Sequence, residues 1–172
     1  GLLLFRVIWG FVGTTYARFS GFGLSLTGLL KQLSAMARGD APPYLGHNPA
    51  GAIMVVVLLA VLLAQVTTGL FYTDDIFWFG PLYDVGPDWV LAVSASVHPQ
   101  LPKVIMLLVA THIAAVLYHS IRLREPLVAA MFHGRKPSTD PLLRRSEIST
   151  LWLVLTVLVT GLWLVWLLSR PI

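Results

Sequence analysis

The sequence predicts an all-α protein, a polytopic bundle of transmembrane helices, and three observations carry that prediction. Hydrophobic residues make up 56% of the 172-residue chain and charged residues only 12%, roughly half the charged share of a soluble domain. The apolar residues are gathered into long stretches nearly free of charge, and several approach the ~20 residues that cross a bilayer as a helix. The Lys and Arg residues concentrate in alternate connections between those stretches. A soluble globular domain is excluded by this composition.

Taken in order, residues 1–14 form the exit half of a membrane helix that ends near Gly13 and Thr14. The chain opens at Gly1, without Met, directly into Leu2, Leu3, Leu4 and Phe5, so an N-terminal portion is expected before residue 1. The connection 15–48 is polar and holds an amphipathic piece, Leu24 to Met36, expected to lie at the membrane interface. Asp40-Ala-Pro-Pro43 then breaks any helix. Residues 49–72 form the second span, with Pro49 suited to a first helical turn.

Residues 73–96 carry Asp74, Asp75, Asp84 and Asp88 beside Trp78 and Trp89, which is the make-up of an interfacial loop with an aromatic belt. The third span runs from His98 to Ile121, a basic loop covers 122–148, and a last span covers Ser149 to Leu168. Trp152, Trp163 and Trp166 stand near the ends of that last span.

Charge sets the orientation. Loop 15–48 holds Arg18, Lys31 and Arg38, and loop 122–148 holds Arg122, Arg124, Arg135, Lys136, Arg144 and Arg145. Loop 73–97 holds neither Lys nor Arg. The two basic loops therefore share one side, expected to be cytoplasmic, and the acidic loop lies on the other. The first helix then runs inward, which requires an outside start or one further span before residue 1.

Absence of cysteine excludes disulfides, zinc–thiolate sites and iron–sulfur clusters held by this chain. Metal chemistry falls to five histidines or to carboxylates. Ionisable residues inside a membrane segment are costly and become functional candidates. His98, His112 and His119 all lie on the expected third span. Fourteen helical residues turn through about 1400°, leaving a ~40° offset, so His98 and His112 share a face about 21 Å apart along the axis. That places one ligand near each leaflet, as two stacked haems require. Bis-histidine coordination closes both axial positions and favours electron transfer over oxygen chemistry.

Blander roles stand beside these. His98, next to Pro99, also suits the headgroup level. His119, near Arg122 and only ~10.5 Å from His112, suits interfacial polarity first, with contact to a haem propionate or a quinone as the alternative. His112, amid Ala, Val and Leu, has few roles other than ligation. Arg6 either snorkels or pairs with a haem propionate. Gln65 suits an interhelical hydrogen bond, and His47 and His133 fall in loops, His133 as a solvated residue.

The segments Phe5-Arg-Val-Ile-Trp-Gly-Phe-Val-Gly13, Tyr16-Ala-Arg-Phe-Ser20, Tyr44-Leu-Gly-His-Asn-Pro49 and Thr68-Gly-Leu-Phe71 resemble bacterial di-haem cytochromes b. These comprise the cytochrome b561 proteins and the Ni,Fe-hydrogenase cytochrome b subunits. The strongest piece runs from His98 through Thr111-His-Ile-Ala-Ala-Val-Leu-Tyr-His-Ser120 into Arg124-Glu-Pro-Leu-Val128, Ala130-Met131 and Gly134-Arg-Lys136. The resemblance implies a four-helix cytochrome b core over residues 1–136, with its first helix missing and its second truncated. It implies two b haems in the intact protein, with His98 and His112 as the ligand pair on the family's fourth helix. The other two ligands would precede Gly1. Residues 137–172 would be a linker and an additional C-terminal membrane helix.

The leading functional expectation is transmembrane electron transfer through haem b, between the quinone pool and a periplasmic redox partner such as a cytochrome c or hydrogenase. His98 and His112 would be the iron ligands, and Arg6 and His119 would lie near propionates or quinone. The chain would then be a multi-pass subunit in a bacterial inner membrane, in a larger complex or a homodimer. It would serve as an electron-transfer subunit of an oxidoreductase, contacting lipid and quinol but no nucleic acid. Turnover of quinone by the chain itself is a further reading. The rival is a non-redox membrane anchor or assembly subunit whose histidines are interhelical glue.

Overall fold

The computed structural model describes residues 1–14, 17–40, 44, 47–124 and 149–169. Among them the fold is all-α: six α-helices, two 3-10 turns and a single antiparallel bridge between Thr73 and Phe79. Most of the basic loop, with His133, lies outside these residues, as does the Ala-Pro-Pro run at 41–43.

Helix α1 (Leu2–Val12) ends where the Gly13 N–H donates to the Trp9 carbonyl. Helix α2 (Leu26–Arg38) is the expected amphipathic piece, two residues displaced. Ser25 caps it by accepting from the Gly28 N–H at 3.1 Å, and Gly39 closes it in the left-handed region at φ 77°. Its faces divide the labour. Leu26, Leu30 and Leu33 are exposed and form one stripe at i, i+4, i+7 spacing. Gly28 lies on Pro49, Gln32 is buried, and the Met36 carbonyl accepts the Tyr118 hydroxyl.

Helix α3 (Pro49–Gly69) starts on Asn48, whose Oδ1 accepts from the Gly51 N–H at 2.7 Å. It stops three residues before the expected Tyr72. The carbonyls of Leu70 and Tyr72 are taken instead by the N–H groups of Leu82 and Gly80, both at 2.8 Å, which folds 70–82 back on itself.

The largest departure from expectation is within 73–97. A helix, α4 (Asp88–Val97), occupies the second half of the expected loop. Pro87 presets its entry and Asp88 suits its positive first turn. Helix α5 (Leu101–Ile121) then begins at Leu101 rather than His98, and His98 sits in the turn between the two. Pro99 and Pro102 have no N–H, so the carbonyls of Ala95 and His98 receive no bond from the helical ladder. His98 and His112 thus belong to two joined helices, not to one rod.

Helix α6 (Thr150–Leu168) is the C-terminal span. The helices Pro49–Gly69, Leu101–Ile121 and Thr150–Leu168 are long and apolar enough to cross a membrane, and only 6% of each apolar window is buried. Their outward surface is the apolar face that lipid covers. Helix α3 packs on α5, α4 and α2 and touches α1, while α1 packs on α6. Gly1 lies beside Thr160 and Leu164 of α6.

Candidate functional site

At the acidic-loop end, His98 is held against the last turns of α3. Its Nδ1 is 3.0 Å from the Thr68 Oγ1 and its Nε2 is 3.2 Å from the Gln65 Nε2. The Tyr72 ring stacks on the imidazole at 4.8 Å and 29°. Gly69 makes room for it, since a Cβ there would stand 2.9 Å from the His98 Cε1. The α3–α4 packing therefore sets the position of this imidazole.

At the basic-loop end the polar groups are more numerous. His112 is half-buried and makes no hydrogen bond among the described residues. About two helical turns further on, His119 is 5% exposed, and its Nε2 lies 3.5 Å from the Asn48 amide. His119 is thus packed between the start of α3 and the end of α5. Gln32 on α2 lies midway between Gly28, which rests on Pro49, and Met36, which meets Tyr118. Gln32 is 2% exposed, and among the described residues neither its amide nitrogen nor its oxygen finds a hydrogen-bond partner. The Ser120 hydroxyl is likewise buried, without a partner among the described residues.

Arg6 completes this end. Its guanidinium carbon stands 5.0 Å from the centre of the Phe19 ring, which fits only because Gly10, on the same face of α1, has no side chain. Phe19 packs edge-on against Phe22 at 5.5 Å, and Phe22 meets the His47 ring at 4.9 Å. Arg6 is half-buried, and among the described residues its buried Nη1 has no partner. His47 is held below the ordinary histidine range, first by loss of water and then by the charges of Arg6 and His112. Those influences join His47, Arg6 and His112 into one electrostatic neighbourhood.

No three His, Asp or Glu side chains converge among the described residues. The histidines stand as single donors, which is how an axial ligand to a macrocycle is presented. The fit to a haem is good at the basic end: an unengaged imidazole, and a buried Arg nitrogen that lacks an acceptor such as a propionate. At the other end His98 has a hydroxyl on one ring nitrogen, as metal-bound histidines usually do, and an amide on the other.

Sequence reasoning singled out His98, His112, His119, Arg6 and Gln65. It missed Thr68, Gly69, Asn48, Gln32 and any site role for His47. Asn48 before Pro49 is a cap signal that could have been read. Gln32 repeats Gly28 by one helical turn and carries no signal of its own.

A family model described as prokaryotic cytochrome b561 matches residues 1–134. No curated protein and no solved structure matches the chain.

Proposed function

The chain belongs to the prokaryotic cytochrome b561 family, and from that premise we propose that His98 and His112 each supply one axial imidazole to a b haem. Membership makes it a membrane protein of haem-based electron transport. Three membrane-length helices agree. The observation that supports the residue assignment is the separation of the two imidazoles, His98 against the last turns of α3 and His112 at the middle of α5.

A bound b haem supplies a one-electron couple; the chain's own residues place and tune it. Among the described residues His112 makes no hydrogen bond, and the half-buried Arg6 has one buried nitrogen without a partner, a donor suited to a propionate. The apolar faces of α3 and α5 keep water from the path. Quinone or quinol would exchange electrons at the basic end, where the buried Gln32 amide, the His119 imidazole and the Ser120 hydroxyl lie with the half-buried Asn48 amide. The acidic loop would face a periplasmic redox partner, and the basic loops the cytoplasm of a bacterial inner-membrane protein. Residues 1–136 would form the cytochrome domain and 137–172 the linker and added helix of a larger complex or homodimer.

Reduced-minus-oxidised visible spectra of the purified protein test the assignment. With two haems in the intact protein, His112→Ala and His98→Ala should each abolish about half of the α-band. Full amplitude in either variant removes that histidine from the ligand set. One observation favours the rival, a non-redox anchor: both nitrogens of His98 are already bonded within the chain. Absence of any haem band from the intact protein would establish the rival.

A further inference from the structure

The hydrogen bonds around His98 fix which of its nitrogens is available to a metal. The Thr68 hydroxyl has one proton. It lies 2.7 Å from the Ala64 carbonyl and 3.2 Å from the Gln65 carbonyl, and both of these can only accept. The proton is therefore committed to the α3 backbone. Toward His98, 3.0 Å away, Thr68 can only accept, so the imidazole carries its proton on Nδ1. The lone pair is then left on Nε2. A second contact agrees with this assignment: the Gln65 amide nitrogen, a donor, is the atom at 3.2 Å from Nε2. The Gln65 Oε1 is buried with no partner among the described residues, so there this amide is held by its donor side alone.

We infer that Thr68 is a positioning residue that locks His98 in the Nδ1–H tautomer, directing Nε2 to a metal, and that Gln65 occupies that lone pair when no metal does. This rests on the reading of His98 as an axial ligand. The device belongs to α3, not to the segment that carries the histidine. Gly69 and Tyr72 serve the same end, one by leaving space beside Cε1 and the other by stacking on the ring face. An acceptor on Nδ1–H makes the imidazole more basic, which favours the ferric over the ferrous state.

The test uses the intact, haem-loaded protein in detergent, with redox titration and ferric EPR of the wild type, Thr68→Val, Thr68→Ala and Thr68→Ser. Thr68→Val removes the acceptor at nearly constant volume. It should weaken ferric relative to ferrous binding about tenfold, raising the midpoint of the His98 haem by about 59 mV and altering its low-spin EPR signal. The second haem should stay unchanged, and Thr68→Ser should restore both readouts. Thr68→Ala carries the same expectation and stands in should the Val variant fail to accumulate. Wild-type midpoints and EPR in the Val or Ala variant, with half the haem lost in His98→Ala, overturn the role of Thr68 and leave the ligand assignment intact. Full haem retention in His98→Ala overturns both.

Discussion

At the scale of single residues, the basic end is governed by one positive charge with an unfinished set of contacts. Arg6 stacks on Phe19 while its Nη1 stays buried without an acceptor among the described residues, and its field reaches His47. The proton of His47 is destabilised by desolvation first, then by Arg6, then by His112. A histidine with a lowered folded value stays neutral where the unfolded chain is already protonated. Its contribution therefore favours the unfolded chain as pH falls through the ordinary imidazole range, and vanishes above that range. Arg6→Gln removes the second cause and leaves the first, so the His47 value should rise only part of the way to normal, as NMR titration of its ring protons would record. A full return would mean that charge, not burial, governs it. His98, His112 and Arg6 were legible in the sequence because a charge or an imidazole inside an apolar run stands out. Thr68 and Gln32 were not, because Thr and Gln are ordinary helix surface residues and only tertiary packing shows what they meet.

At the scale of elements, patterning located the spans, and local chemistry decided where they stop. The expected helix from His98 failed at two prolines, and the expected loop before it hid a helix because its four aspartates outweighed the apolar run from Trp89 to Val97. The folded-back segment after α3 is ordered by one carboxylate. The Asp74 Oδ1 accepts from the N–H groups of Ile76, Phe77 and Trp78 at 3.1, 2.9 and 2.7 Å. These bonds hold Asp74 below the usual carboxylate range, with Trp78 the largest influence. The stabilisation is present above the ordinary Asp value and is lost as pH falls through the depressed one. Asp74→Ala should speed amide hydrogen exchange at 76–78 at neutral pH by several-fold or more, while exchange in α3 stays as in the wild type. Equal rates at 76–78 would show that the Thr73–Phe79 bridge suffices.

At the scale of the whole molecule, two packing units meet: α2, α4 and α5 gather on α3, and α6 lies along α1. The all-helical membrane architecture was legible because hydropathy and charge distribution report it directly. Which helix packs on which was not, since spans facing lipid on most of their surface carry almost no amphipathic signal. The C-terminal helix covers the element that carries Arg6. A chain ending at residue 148 should therefore unfold at lower temperature in detergent yet keep its full haem band, the histidines being on the other unit. Loss of the band would make α6 part of the haem-holding core.

The proline joint between α4 and α5 has a wider consequence. It gives each imidazole its own foundation: His98 takes its depth from α3 through Thr68, whereas His112 follows the register of α5. On the proposed ligand assignment, a substitution that slides α5 along its axis would retune the His112 centre and leave the His98 centre alone. The driving force between the two could thus be adjusted by small steps on a single membrane-crossing segment.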